Sequence, residues 1–198
     1  MATTQHGDDL IPTRATLIGR LKDPKDQSSW QEFFDTYSKL IYGVARKAGL
    51  TESGAQNVLQ ATMEAVAENM PSFKYDPEMG SFKAWLLNLT RLQIITQVCK
   101  PRSASREVTT AADPSGRAVE HLWEKEWDIN LLESATTNVK RRLEPRKYQV
   151  YDLQVNKQWA AEKVAALMGK PVDEVLEAKR SVAEMIQAEA RRLEQEML

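Results

Sequence analysis

Apolar residues recur at intervals of three and four along most of the chain, which is the spacing of one face of an α-helix. The first long stripe covers residues 30–44, and Ser29 with Glu32 predicts a capping box at its start. A second stripe covers residues 55–66 and ends near Pro71, and a short helix is expected over residues 14–21. The two stripes consist of Trp30, Phe33, Phe34, Tyr37, Leu40, Ile41 and Val44, and of Ala55, Val58, Leu59, Thr62 and Val66.

A loop, a third helix and a linker are predicted next. Residues 73–81 bring a proline and a glycine close together, which favours an ordered loop. The helix that follows is expected to last until Pro101. Residues 102–117 are rich in serine, threonine, alanine and proline and hold almost no large apolar residue, so they predict a linker. The third stripe consists of Phe82, Trp85, Leu86, Leu89, Leu92 and Ile95.

The second half of the chain also has helical spacing. Trp123 and Trp127 open a helical region that Pro145 interrupts, and short helices are expected over residues 146–155 and 158–168. The Gly-Lys-Pro sequence at 169–171 predicts a turn into a long helix from about Val172. This spacing fits a helix-turn-helix, and it fits a plain helical hairpin equally well. One buried face of the last helix is predicted from Val175, Val182, Ile186 and Leu193.

These elements together predict an all-α protein. We expect two small helical domains, over residues 10–101 and 123–198, joined by a polar linker over residues 102–122. The predicted helix-turn-helix would lie in the second domain. Hydrophobic residues make up 42% of the chain, which is enough for a packed core.

The distribution of charge is more informative than its sum. The formal net charge is −1, so any contact with nucleic acid must come from local patches. The charged residues from 52 to 78 are mostly acidic, whereas every charged residue from 81 to 106 is basic. This favours one protein-facing and one phosphate-facing surface, although two solvated helix faces would give the same pattern.

Residues with catalytic or metal-binding chemistry are scattered. His6 and His121 lie far apart, and neither has a metal-ligand neighbour at helical spacing. The sequence has no glycine-rich phosphate loop, and its sole cysteine, Cys99, has no partner for an intramolecular disulfide. We therefore expect no catalytic residue, no metal and no cofactor, and a protein that is not an enzyme. Without a predicted signal peptide or membrane span, the expected location is cytoplasmic.

Four segments resemble the extracytoplasmic-function (ECF) group of bacterial RNA polymerase sigma factors. Residues 30–42 (WQEFFDTYSKLIY) are similar to the family's first helix, and residues 54–62 (GAQNVLQAT) to its polymerase-binding helix. Residues 73–86 (FKYDPEMGSFKAWL) are similar to its specificity loop and the start of its promoter-melting helix. Residues 164–179 are similar to its helix-turn-helix, so the resemblance extends from about residue 14 to the C-terminus.

The resemblance implies a sigma factor that binds core RNA polymerase and directs promoter-specific transcription initiation. It implies polymerase contact through Asn57, Gln60 and Glu64, which share a helix face by their spacing. The basic helix and the loop before it would hold the −10 element, with cations on phosphates and an extruded base in the loop. Trp85 fits strand separation and fits a core role as well. The implied −10 residues are Lys74, Tyr75, Lys83, Trp85, Arg91, Lys100 and Arg102.

In the second domain, the resemblance implies recognition of the −35 element as duplex DNA by a helix in the major groove. The partners implied are core RNA polymerase, promoter DNA and a regulator such as an anti-sigma factor, with no membrane. The base-reading candidates are Glu177, Lys179, Arg180 and Ser181, and a basic patch that would contact phosphates or polymerase consists of Arg141, Arg142, Arg146 and Lys147.

Departures from the family pattern open an alternative. The family usually has acidic residues where Asn57 and Ala61 stand, and polar or basic residues where Leu92 and Thr96 stand. Residues 173–196 hold seven acidic side chains against four basic ones, which is a poor balance for phosphate contact. The alternative is a divergent sigma-like regulatory protein that binds a protein partner with little or no promoter reading.

Overall fold

The structure is a computed structural model that describes residues 14–74, 81–99 and 116–195. Every regular element within these ranges is helical, so the described part of the chain is all-α, as the sequence predicts. The helices are α1 (Arg14–Arg20), α2 (Gln27–Lys47), α3 (Glu52–Asn69), α4 (Phe82–Cys99), α5 (Gly116–Arg142), α6 (Pro145–Val155), α7 (Ala161–Met168) and α8 (Val172–Gln195), with a 3₁₀ turn over Met70–Ser72. The chain divides into two compact units between Trp123 and Glu124, inside α5.

Unit 1, which ends at Trp123, is built around α2, α3 and α4, with α3 packed against both of the others. The apolar face predicted for α3 is confirmed at four of its five residues, since Ala55, Val58, Thr62 and Val66 are buried, whereas Leu59 is only half-buried. The face predicted for α2 is too wide, because the Phe34 side chain is 45% exposed. The other predicted apolar residues of α2 from Phe33 onward lie in the core.

The start of α2 differs from the prediction. The helix begins at Gln27, and the carboxylate of Asp26 accepts hydrogen bonds from the amide and hydroxyl of Ser29 at 3.0 and 2.6 Å. These bonds lower the pKa of Asp26. Glu32, expected to complete a capping box with Ser29, instead forms an ion pair with Arg20 of α1 at 2.7 Å. The predicted capping box is therefore wrong, and an Asp N-cap replaces it.

The buried face of α4 also differs from the predicted stripe. The residues that reach the core are Phe82, Leu86, Thr90 and Ile94, at intervals of four, whereas Leu92 is 56% exposed. Thr90 is tolerated there because its hydroxyl donates a hydrogen bond to the Leu86 carbonyl at 2.8 Å. A buried threonine therefore replaces one of the leucines expected in the core.

The last part of the predicted linker is helical. Helix α5 begins at Gly116, so residues 116–122 are helical, and Val119 and Trp123 are both buried. Residues 102–115 of the predicted linker lie outside the described residues.

Unit 2, residues Glu124–Gln195, contains the rest of α5 and helices α6 to α8. Helix α8 packs against α6 and α7, and Val150, Val164, Ala165 and Val175 form a buried cluster among them. The predicted apolar face of α8 is confirmed, since Val175, Val182, Ile186 and Leu193 are all buried.

The turns around α7 follow from backbone conformation. Gly169 ends α7 with a φ of +63°, a backbone conformation that is disfavoured for residues with a side chain. The chain leaves the helix there, and α8 begins three residues later at Val172. Gln158 also has a positive φ, of +56°. The helix predicted over residues 158–168 therefore begins later, at Ala161.

Candidate polymerase and nucleic-acid surfaces

The outer face of α3 is polar and acidic. Asn57, Gln60 and Glu64, the three residues assigned to polymerase contact, are all exposed on it. The Gln60 side-chain amide donates a hydrogen bond to the Glu64 carboxylate at 2.9 Å, one helical turn away. Helix α3 contains three glutamates and no lysine or arginine. The arrangement suits a partner surface that is basic.

Residues 75–80 of the predicted loop lie outside the described residues, but aromatic contacts hold its first residue, Phe73, against the start of α4. The ring of Phe73 lies 4.6 Å from that of Trp85 and 6.1 Å from that of Phe82, between centroids. The ring of Phe82 in turn contacts Phe33 and Tyr37 of α2. Both Phe73 and Trp85 are only half-buried, so one side of this aromatic cluster faces the surface.

Other residues assigned to the −10 element have mixed positions. Lys74 is exposed just before the loop, and Lys83 is half-buried in the first turn of α4. Arg91 forms an ion pair with Glu120 of α5 at 2.9 Å, so a phosphate there would compete with a carboxylate. Tyr75, Lys100 and Arg102 lie outside the described residues.

The four residues assigned to base reading do not share one surface. Glu177 and Ser181 line a groove in unit 2, whereas Lys179 and Arg180 are exposed and do not line it. The Lys147 ammonium of α6 donates a hydrogen bond to the Ser181 hydroxyl at 3.0 Å. Ser181 therefore has a partner from the predicted basic patch, which the sequence did not indicate.

This groove, called the α6–α8 groove from here on, has a volume of about 400 Å³. Lys170, in the turn before α8, lines it and forms an ion pair with Glu174 at 3.3 Å. The lining residues are Glu144, Arg146, Lys147, Val150, Met168, Lys170, Glu174, Glu177, Ala178 and Ser181.

The predicted basic patch is divided by the structure. Arg146 and Lys147 line the α6–α8 groove, and Arg141 is exposed at the end of α5. The guanidinium of Arg142 lies 3.5 Å from the carboxylate of Glu189 on α8 and takes part in a structural ion pair. Arg142 therefore has an ion-pair partner within unit 2 that the sequence interpretation did not assign.

Glu189 itself was missed by the sequence interpretation. Its side chain is 6% exposed and accepts hydrogen bonds from Arg192 and Asn138, at 2.7 and 2.9 Å. The hydrogen bond from Arg192 is the largest cause of the lowered pKa of Glu189, and Asn138 and Arg142 lower it further. The three-residue spacing to Arg192 was visible in the sequence, but the contacts to α5 were not.

No cluster of three or more histidine, cysteine, aspartate or glutamate side chains within residues 14–74, 81–99 and 116–195 is arranged to hold a metal ion. Among the helices of these ranges, none combines the length and apolarity needed to cross a membrane. No protein-family model matches the chain, and no curated protein matches it in sequence.

Proposed function

We propose that the chain is a sigma factor of the ECF kind, a two-domain cytoplasmic subunit that binds core RNA polymerase and directs it to promoters. The observation that carries the proposal is the pairing of α3 with α4 in unit 1. Helix α3 contains glutamates but no lysine or arginine, and it packs against α4, which contains no aspartate or glutamate. Phe73 and Trp85 lie together where α4 begins. The two surfaces suit a basic protein partner and a phosphate-bearing strand.

The exposure of side chains in unit 1 supports separate surfaces for polymerase and for DNA. The polymerase set of Asn57, Gln60 and Glu64 is accessible to a partner, because none of it contributes to the core. The half-buried Phe73 and Trp85 offer aromatic surface at the loop, and an unpaired base needs such a surface for stacking. In the proposed mechanism the loop receives an extruded −10 base, and the cations near α4 hold the strand's phosphates.

Unit 2 supports the proposal through α7 and α8. A helix of eight residues, closed by Gly169 in the left-handed conformation, leads in three residues to a helix of 24 residues. This is the spacing of a helix-turn-helix, in which the second helix enters the major groove. Arg180 and Lys179 are exposed in the N-terminal half of α8, where such helices contact bases.

One observation favours the alternative of a sigma-like regulator that reads promoters weakly. Exposed acids accompany the exposed cations of α8, with Asp173 and Glu184 on either side of Arg180 along the helix. Carboxylates near a phosphate backbone repel it. A protein partner on the α3 surface is compatible with both functions, and −35 selectivity separates them.

The test is recovery of core polymerase with the tagged full-length protein, followed by transcription with that polymerase. The Gln60→Lys/Glu64→Lys variant should lose most of the recovered polymerase, because it places two cations on the surface that meets a basic partner. The matched control is Gln31→Lys/Asp35→Lys on α2, where an exposed amide–carboxylate pair has the same spacing and the same 2.9 Å hydrogen bond.

Equal recovery by both folded variants would exclude the α3 surface. If the wild-type protein recovers no polymerase at all, the sigma-factor proposal is wrong. Recovery with no transcription from any promoter would leave the regulatory alternative as the better function.

A further inference from the structure

The α6–α8 groove contains as many acids as bases. Its cations are Arg146, Lys147 and Lys170, and its acids are Glu144, Glu174 and Glu177. The cations come from α6 and from the turn before α8, so they lie beside the helix that is proposed to enter the major groove. A groove with three cations at this place would attract phosphate, but three carboxylates in the same groove cancel that attraction.

The acids of α8 are placed to act on these cations. Glu174, Glu177 and Ser181 recur at intervals of three and four, so they form one stripe along the groove wall. Glu174 holds the Lys170 ammonium at 3.3 Å, and the Lys147 ammonium is held by Ser181, one turn beyond Glu177. Two of the three cations are therefore already engaged by groups on α8.

We propose that Glu174 and Glu177 are specificity-determining residues that suppress binding of DNA phosphate in this groove. This inference rests on the proposed function and adds a reason for promoter selectivity. Non-specific affinity for DNA arises from neutralised phosphates, and each one contributes about 0.9 to the slope of log affinity against log salt concentration. Because the groove has three cations and three carboxylates, contact with DNA phosphate adds little to the affinity of the free protein. A promoter is bound only where polymerase and base contacts supply the remaining affinity.

The probe is a fluorescently labelled duplex of about 30 base pairs and random sequence, titrated with the full chain at several salt concentrations. Glu174→Gln/Glu177→Gln should bind at least about tenfold more tightly than wild type at low salt, with a slope increased by about one to two. The matched control, Glu162→Gln/Glu194→Gln, makes the same change in net charge at two exposed residues of unit 2 outside the groove. It should leave affinity and slope near the wild-type values.

A third variant identifies the phosphate ligands. Adding Lys147→Ala/Lys170→Ala to the Glu174→Gln/Glu177→Gln background should abolish the gain in affinity and return the slope to the wild-type value. In transcription with the cognate polymerase, Glu174→Gln/Glu177→Gln should also raise output from a template with a scrambled −35 element relative to the intact promoter.

The outcomes separate this inference from the proposed function. Equal gains by the groove variant and the control would mean that net charge alone matters, and no gain by the folded groove variant would also overturn the inference. Failure of the sigma-factor proposal has a different signature, namely no recovery of polymerase by wild type. In that case a gain limited to the groove variant would still assign the groove to DNA phosphate.

Discussion

The carboxylate of Glu189 on α8 accepts a hydrogen bond at 2.9 Å from the side-chain amide of Asn138 on α5, 51 residues earlier in the chain. Arg142, also on α5, lies 3.5 Å from the same carboxylate, and Arg192 of α8 donates two hydrogen bonds to it. A buried carboxylate is tolerated only when its oxygens are satisfied, and here three side chains do so. Glu189 therefore joins α5 to α8 inside unit 2.

Replacement of Glu189 by glutamine should destabilise unit 2. The substitution keeps the shape of the side chain but removes the charge that both arginines face, and hydrogen bonds to charged groups contribute about 1.5–3 kcal/mol. Because both arginines are partly exposed, we expect a loss of about 1–3 kcal/mol in the free energy of unfolding. Denaturant titration followed by circular dichroism measures it. Glu194→Gln, an exposed change on the same helix, should lie within about 0.5 kcal/mol of wild type.

The stabilisation by Glu189 should depend on pH in one direction. Its pKa is held below the ordinary value of 4.5, so the charged form is favoured by folding. The contribution is fully present above about pH 4.5 and is lost as the pH falls through the lowered pKa. The difference in unfolding free energy between wild type and Glu189→Gln should therefore be constant near neutrality and shrink under acidic conditions. A difference that grows on acidification would contradict the ion-pair account.

Two glycine-to-alanine substitutions should have opposite signs. Gly169 has a φ of +63° and open space where the methyl group of an alanine would lie, so Gly169→Ala is opposed by backbone strain alone. We expect it to destabilise unit 2 by about 1 kcal/mol. Gly19 has equally open space but lies in α1, so Gly19→Ala should be neutral or stabilising by up to about 1 kcal/mol. The melting temperatures of the two variants are compared by thermal unfolding. Equal changes in melting temperature would show that the positive φ of Gly169 does not strain an alanine there.

Sequence periodicity predicts a helix well where apolar side chains alone form its buried face. It succeeded for α8, where the predicted valine, isoleucine and leucine residues are all buried, although it did not indicate the buried Glu189 and Ala190. It failed for α4, where apolar residues lie on several sides of the helix and a threonine with an internal hydrogen bond takes a core position. Apolar content alone does not fix the phase of such a helix.

The surfaces were predicted less well than the elements, because side-chain partners depend on tertiary contacts. The exposure of Asn57, Gln60 and Glu64 agrees with their shared spacing on α3. The bond from Lys147 to Ser181 spans 34 residues, and no local pattern indicates it. The same holds for the ion pair between Arg142 of α5 and Glu189 of α8, which lie 47 residues apart in the chain.

Removal of the Phe73 ring should impair promoter opening more than polymerase binding. Its contacts with Trp85 and Phe82 hold Phe73 against the start of α4, and aromatic pairs contribute about 0.5–1.5 kcal/mol each. Phe73→Ala should lower the open-complex equilibrium by up to about tenfold, measured by fluorescence of 2-aminopurine in the −10 element. Phe34→Ala removes the same ring from the exposed side of α2 and should have no such effect. Equal impairment by both variants would exclude a specific role for the loop.

Arg180 and Arg146 should affect promoter selection in different ways. Arg180 is exposed on α8 outside the α6–α8 groove, and from there its guanidinium is able to reach a base edge. Arg146 belongs to α6 and lines the groove. A bidentate contact from arginine to guanine contributes about 1–3 kcal/mol of discrimination, so Arg180→Ala should relax preference at a single −35 position. In the complex held by polymerase, Arg146→Ala should lower transcription from all promoters about equally, because it removes a cation without removing a base contact. Arg142 is unsuitable for this comparison, because its ion pair with Glu189 would mix stability with DNA contact.

The two variants are compared with wild type on a library in which the −35 region is randomised, transcribed by the cognate polymerase. A single relaxed position in Arg180→Ala, beside an unchanged profile at lower output in Arg146→Ala, is the expected result. If Arg180→Ala keeps the wild-type profile, α8 does not read bases through that side chain. If wild type itself selects no −35 position while still recovering polymerase, the acidic residues of α8 outweigh its cations. The chain is then better explained as a sigma-like regulator that acts through its protein partner.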